Sequence, residues 1–256
     1  MTSTHERHNR AFWDADADDY QAEHGRQLAA APLAWGAFRV PEPDLQVLGD
    51  PAELAGLDVL EFGCGGGQWS VALSGLGAHC TGLDLSFGQL RHARANADTA
   101  AVTVAFTCAS GEATPFAPAS FDIVFCDHGA TSFCDPARTV PEVARLLRPG
   151  GLFAFCVSTP LLYLTYDDTR DRQTRELKRA YGELGRMEFG DGTIDFVLPP
   201  GDWVRLFRAH GFVIEDLIEL VAASDATTTY RDFVPKRWAT KWPAEQIWKV
   251  RLTRSI

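Results

Sequence analysis

The sequence predicts an α/β protein on a doubly wound, mostly parallel sheet of seven strands, with an N-terminal helical arm and an inserted cap helix. Short apolar runs recur between stretches of helical spacing, and the first run, Leu57-Asp58-Val59-Leu60-Glu61-Phe62, ends in a cluster of glycines that opens a helix. Strands that alternate with helices lie parallel, because each returns to the same sheet edge through a helix packed on its face. The last apolar run differs. Trp248, Val250 and Leu252 stand on one side of it and Lys249 and Arg251 on the other, the strict alternation of a half-solvated antiparallel strand.

Taken along the chain, residues 1–48 form the helical arm, with a loop-like stretch at 29–44, and the core spans 49–256 with an insertion near 160–200. Strands are expected at 57–62, 78–85, 102–108, 121–126, 151–158 and 212–220, before the final run. Between them, Val140, Val143, Ala144 and Leu147 give one buried helical face before Pro149-Gly150-Gly151. Trp203, Leu206 and Phe207 repeat that spacing in a helix that Gly211 can end. Residues 167–188 hold six acids and six bases, and Leu177, Tyr181 and Leu184 keep a helical stripe among them; this reads as a solvated helix, either plain surface or a cap over substrate.

Composition excludes several classes. A chain of 256 residues with 46% hydrophobic and 23% charged side chains is neither disordered nor fibrous. Nothing approaches the roughly 18 to 20 apolar residues that cross a bilayer, and the polar start lacks a signal peptide's apolar segment, so a cytoplasmic protein with no membrane partner is expected. The net charge of −10 repels phosphate backbones and anionic lipid and favours a small neutral or cationic substrate. One basic stretch argues the other way: residues 231–256 carry seven bases, Arg254 among them, interleaved with Phe233, Trp238, Trp242 and Trp248. The overall acidity outweighs it. No nucleic-acid partner is expected, and Trp238 or Trp242 are candidates for walls of the acceptor pocket. Six cysteines without a C-x-x-C pair, several inside apolar runs, read as small buried thiols, and no metal site is expected.

The most informative segment is Glu61-Phe62-Gly63-Cys64-Gly65-Gly66-Gly67-Gln68. Glycines there permit positive φ and bring bare backbone up to a ligand beyond the strand's carboxyl end, where the helix behind offers free N–H groups. A dinucleotide fingerprint needs glycine three places after Gly65, and Gln68 stands there. Asp84 closes the second strand 17 residues after Gly67, where a carboxylate accepts hydrogen bonds from vicinal ribose hydroxyls; Asp84 or Ser86 can equally cap the next helix.

The order E-x-G-x-G-x-G, then Gly82-Leu83-Asp84-Leu85-Ser86, then Ala109-Ser110-Gly111-Glu112-Ala113-Thr114-Pro115-Phe116 with Ser120-Phe121-Asp122-Ile123-Val124, then Leu146-Leu147-Arg148-Pro149-Gly150-Gly151, resembles the class I S-adenosylmethionine-dependent methyltransferases over roughly residues 55 to 158. The resemblance implies a Rossmann-like fold, S-adenosylmethionine as cofactor and a small-molecule acceptor methylated on oxygen or nitrogen. It places Glu61, Gly63, Gly65, Gly67, Asp84, Leu85 and Gln89 at the cofactor and the Ser110, Gly111, Glu112 turn at adenine, although Ser110 stands where the family has Asp. An RNA or protein methyltransferase on the same fold, or a non-catalytic binder of the cofactor, are the alternatives.

Two further segments point to the reacting end. Asp127 and His128 follow the fourth strand, and His128 is either the general base or a contact of cofactor or substrate. In the arm, Trp13 and Tyr20 match the W-x-x-x-A-x-x-Y segment of relatives. This segment folds over the cofactor there, bringing the Tyr20 hydroxyl to the methionine carboxylate or the acceptor; the other reading has Trp13 pin the arm to the core. His24 lies on the same helical face as Tyr20.

Overall fold

The structure is a computed structural model and describes residues 3–253. Its centre is one sheet of seven strands: β1 (Asp58–Phe62), β2 (His79–Asp84), β3 (Ala105–Cys108), β4 (Phe121–Asp127), β5 (Leu147–Ser158), β6 (Phe212–Leu220) and β7 (Glu245–Leu252). They lie in the order β6-β7-β5-β4-β1-β2-β3, parallel from β5 to β3 and antiparallel where β7 meets β5 and β6. The chain builds outward from β1 to β3, then crosses back to place β4 on the other side of β1. A crevice therefore opens beyond the carboxyl ends of β1 and β4, where open sheets of this kind bind ligands.

Five longer helices accompany the sheet: α1 (Thr4–Ala30), α2 (Gln68–Gly75), α3 (Phe87–Ala100), α4 (Pro136–Leu146) and α5 (Pro200–Ala209). On one face, Val140 and Val143 of α4 and Trp203 and Phe207 of α5 bury against Phe153, Phe155 and Trp248. The Trp203 and Phe207 rings stack 5.4 Å apart. On the other face, Trp35, Trp69 and Leu73 cover Val59, Phe125 and Ile247. This dry sandwich fixes the strand ends to which the site is attached.

The arm is held differently. Helix α1 begins with a capping box, in which Ser3 accepts from the Glu6 amide while Glu6 accepts from that of Ser3. It is polar around its circumference and gains its place from specific polar contacts. Asn9 makes three hydrogen bonds, donating to the Phe133 and Ile194 carbonyls and accepting from the Ile194 amide. Asp14 accepts from the Ser86 hydroxyl and the Gly88 amide, and Gly88 lies so close to Ala17 that a side chain there would meet it at 2.8 Å.

Several expectations are corrected. Residues 167–188 contain no α-helix: they form a short pair, Tyr166–Asp167 with Arg172–Gln173, and a 3₁₀ turn at Tyr181–Glu183 that leads into a second pair, Arg186–Glu188 with Ile194–Phe196. Leu177 and Tyr181 of the supposed stripe are exposed, so the spacing had no surface to bury against. The last strand is not half-solvated: β7 lies between β5 and β6, with all its residues buried except the half-buried Lys249 and Arg251. Trp238 and Trp242 pack on each other under the loop before β7, Trp238 donating to the Thr174 carbonyl, and neither lines the crevice. Five of the cysteines are buried and Cys108 is exposed. Arg254 lies outside the described residues, and no described helix is long and apolar enough to cross a membrane.

Candidate active site

Beyond the ends of β1 and β4 lies a cavity of about 570 Å³, within the ~300–1,000 Å³ usual for small-molecule sites. Its floor is the glycine turn, where Gly63, Gly65 and Gly67 all have positive φ. At Gly63 the reason is contact as well as torsion. A Cβ there would collide with the backbone of Gly129 and Ala130, and one on Gly129 would collide with Gly63. Two bare glycines thus let the turn after β1 touch the loop after β4, and the next residue back, His128, is delivered to the rim of the turn. His128 itself takes φ +60°, with its amide bonded to the Cys156 carbonyl. A left-handed non-glycine residue at a crevice is where function and local strain coincide.

Asp84, at the end of β2, lines the cavity and is fixed from behind. One carboxylate oxygen accepts from the Gly65 amide at 2.8 Å and the other from the Ser86 amide at 2.8 Å. Each oxygen keeps a second lone pair for a ligand's hydroxyl. Burial raises its pKa, and the backbone amides only partly offset this. Glu61 is buried below the turn, accepting from the Ser70 amide and hydroxyl; burial lifts its carboxyl to about 8. It is a neutral cap for α2 at neutral pH. Above the turn a chain of amides closes: Gln68 donates to Gln21 of the arm, and Gln21 donates to Gln89.

The reacting end is built around His128. Its Nε2 lies 2.6 Å from a carboxylate oxygen of Glu245, a buried residue at the start of β7 that also accepts from the Ala37 amide. Burial disfavours the imidazolium, but the bond to Glu245 and the charges of Glu245, Asp127 and Asp195 outweigh it, so the pKa is raised. Asp127 accepts from the Gly36 amide and from Arg39, whose other terminal nitrogen donates to the Ala31 carbonyl. The Arg39 Nε is buried without a partner among the described residues. Asp127, His128 and Cys156 hold donor atoms within 4.8 Å of one another, a grouping that spacing did not foretell because Cys156 comes from another strand. Asp127 and His128 already have protein partners there.

The arm and the loop before β7 form the roof. Trp13 packs edge-on to Tyr20 and Phe133, and the Tyr20 hydroxyl lies 2.6 Å from that of Tyr230. Burial pushes the Tyr20 phenol to about 12, so it stays a hydrogen-bonding neutral group. His24 does not line the cavity; it stacks on Tyr230 at 4.0 Å and bonds Thr229, which ties arm to loop.

Of the residues singled out in the sequence, the cavity brings together Trp13, Tyr20, Glu61, Gly63, Gly65, Asp84, Leu85, Gln89, Gly111, Asp127 and His128. It leaves out Gly67, Ser110 and Glu112. Gly67 packs against Phe106 and Ala93 at the head of α2. Glu112 turns away to pair with His5 and Arg138 and to accept from the Asp135 amide, and Ser110 accepts from the Glu112 amide, so this turn anchors the arm. Sequence reasoning missed Gln21, Arg39, Asp195, Tyr230 and Glu245. No local pattern marks them, since each reaches the site from a different segment.

Comparison with known proteins adds to this geometry. Residues 60–155 match the methyltransferase domain family. The chain is 40% identical over 169 residues to a ubiquinone biosynthesis O-methyltransferase of Thiobacillus denitrificans, an alignment covering 65% of this chain and 68% of that one. It is 39% identical over 171 residues to the protein of the same name from a Methylobacterium species, covering 67% and 66%. It therefore spans about two thirds of the length of these relatives. Among solved structures, an S-adenosylmethionine-dependent methyltransferase from Mesorhizobium loti superposes with a TM-score of 0.65 at 25% identity, covering 82% of this chain and 96% of that one.

Proposed function

The chain belongs to the class I S-adenosylmethionine-dependent methyltransferase family, with S-adenosylmethionine as its cofactor, and from that premise we propose that it methylates an oxygen atom of a small-molecule acceptor. The O-methyltransferase names of its relatives support oxygen over nitrogen.

The residues present fit the cofactor. The glycine turn leaves a cradle that side chains would fill, Asp84 offers lone pairs to a ribose diol, and the orphaned Nε of Arg39 is a donor in want of a partner. Gly63, Gly65, Asp84, Leu85 and Gln89 would hold the nucleoside, with Gly111 beside it. Arg39 and Asp127 set opposite charges side by side, the match for an α-carboxylate and an α-ammonium. Trp13 and Tyr20 would close over it from the arm. When bound, the cofactor supplies an electrophilic methyl group on a sulfonium.

The single observation that carries the reading is the contact between Gly63 and Gly129, which puts an imidazole backed by a buried carboxylate at the edge of the glycine turn. We assign His128 as the base that takes the acceptor's hydroxyl proton, with Glu245 orienting the ring and stabilising the imidazolium that results. Because Glu245 raises the His128 pKa, the base is neutral only at pH above that raised value. With cofactor and acceptor seated, the aromatic roof would limit the access of water to the reacting groups. Acidic lining and modest volume favour a small molecule over a nucleic acid, whose phosphates the cavity would repel. The test is to incubate the protein with S-adenosylmethionine and a panel of phenols and hydroxy acids and to follow S-adenosylhomocysteine by mass spectrometry. Release that depends on an acceptor and on His128 supports the reading. Tight binding of S-adenosylhomocysteine with no turnover on any acceptor would instead make this a binding protein.

A further inference from the structure

Six carboxylates line the cavity: those of Glu61, Asp84, Asp127, Asp191, Asp195 and Asp232. Four of them are matched by N–H donors. Glu61 accepts from Ser70, Asp84 from Gly65 and Ser86, Asp127 from Gly36 and Arg39, and Asp191 from the amide and hydroxyl of Thr193. Asp232 stands exposed at the mouth. Asp195 is different: among the described residues its one hydrogen bond comes from the Tyr163 hydroxyl at 2.8 Å, and it forms no ion pair with a lysine or arginine.

Nor is Asp195 a loose surface acid. It sits in the strand pair Arg186–Glu188 with Ile194–Phe196, and its neighbour Ile194 is clamped at both amide and carbonyl by Asn9 of the arm. The carboxylate is thus held in place by two segments far apart in sequence. Aromatic rings line the same cavity: Tyr163 and Phe189 lie 6.1 Å apart, Tyr230 and Phe233 also line it, and Phe233 stands edge-on to His128 at 5.8 Å. An aspartate with no lysine or arginine partner, bonded to a tyrosine hydroxyl in an aromatic-lined cavity, can select an ammonium group, by ion pairing and by ring-face electrostatics together.

We propose that Asp195, with the Tyr163 hydroxyl and the rings of Phe189, Tyr230 and Phe233, binds a protonated amine on the acceptor, so that the substrate class is amine-bearing hydroxy compounds. This rests on the methyltransferase reading above. It adds what that reading lacks, a reason for the acceptor to enter in one orientation: its ammonium goes to Asp195 while its hydroxyl faces His128, whose pKa the Asp195 charge helps to raise.

The test uses three matched pairs of probes that differ only in the amine: dopamine with 4-ethylcatechol, tyramine with 4-ethylphenol, and serotonin with 3-ethyl-5-hydroxyindole. Each is titrated into protein saturated with S-adenosylhomocysteine. In wild type at least one amine should bind about tenfold tighter than its neutral partner. Asp195→Asn, which keeps the shape, should bring that pair within twofold, and Tyr163→Phe should leave a preference of intermediate size. Both variants should bind S-adenosylhomocysteine as wild type does. Absence of an amine preference in all three pairs, or a preference undiminished in Asp195→Asn, overturns the proposal while leaving the methyltransferase reading intact. Failure of wild type to bind S-adenosylhomocysteine would instead remove the reading beneath it.

Discussion

The two halves of the cavity are made of different material. The half proposed for the nucleoside is mostly backbone: a glycine turn, amides pinned by Asp84, and a loop contact that tolerates no Cβ at Gly63 or Gly129. The half proposed for the acceptor is side chains, gathered from the insertion and the loop before β7: Tyr163, Asp195 and Tyr230. Backbone geometry constrains residue type at its own position, whereas a pocket of side chains can be met from many positions by many residues. The first half should therefore be intolerant of substitution and indifferent to substrate, and the second the reverse.

The sharpest way to break that division is at His128, which belongs to the chemistry of the second half but is placed by the first. His128→Gln should lower turnover by about 10²–10⁴-fold while S-adenosylhomocysteine affinity, measured by calorimetry, stays within threefold. An equal loss in both would mean that the residue only supports the cofactor half. The same base gives a pH limb. With its pKa raised by Glu245, kcat/KM should climb with pH through a value above the ordinary imidazole range, and Glu245→Gln should move that limb to lower pH. A limb that stays where it is would sever the pair.

A smaller effect compares a glycine of the turn after β1 with one of the insertion. Gly63 and Gly192 both have positive φ, +89° and +87°, but a Cβ at Gly63 meets backbone while one at Gly192 meets nothing within 4 Å. Gly192→Ala should cost about 1–2 kcal/mol, the torsional penalty alone, and Gly63→Ala more than about 3 kcal/mol, both read from urea unfolding. Equal losses would show that torsion, not contact, demands glycine after β1.

How far the sequence reveals each half follows from the same distinction. Gly63, Gly65 and Asp84 are legible because their spacing repeats a backbone requirement, and the sheet strands are legible because burial on both faces leaves continuous apolar runs such as Ile123-Val124-Phe125-Cys126. The acceptor half was not. His128 and Glu245 stand 117 residues apart and meet at 2.6 Å, with the Ala37 amide from a third segment on the same carboxylate. The charged stripe at 167–188 misled because helical spacing without a surface to bury against carries no stabilisation, and strand pairing prevailed there. Glu112 misled in another way. Its turn matches the family pattern except at Ser110, yet the carboxylate is taken up by His5 and Arg138 of neighbouring elements.

A pH-dependent effect on stability concerns Glu61, whose carboxyl is lifted to about 8 by burial, above the 4.5 of an ordinary glutamate. The folded chain then holds a proton that the unfolded chain releases, so this group's contribution is full below about pH 4.5 and is lost as pH rises through 8. Glu61→Gln, which cannot ionise, should gain on wild type in thermal unfolding between pH 5 and pH 8.5. A constant difference across that range would mean that the folded chain does not raise the Glu61 pKa.

The central claim is that the backbone turn after β1 and the carboxylate of Asp84 together form the cofactor site. Calorimetric titration of S-adenosylhomocysteine and NAD into wild type and Asp84→Ala tests it most directly. The account predicts micromolar-class binding of S-adenosylhomocysteine to wild type, about −8 kcal/mol, at least about a hundredfold weakening in the variant, and no binding of NAD to either. Equal affinity of the two proteins for S-adenosylhomocysteine, or a preference for NAD, would contradict it.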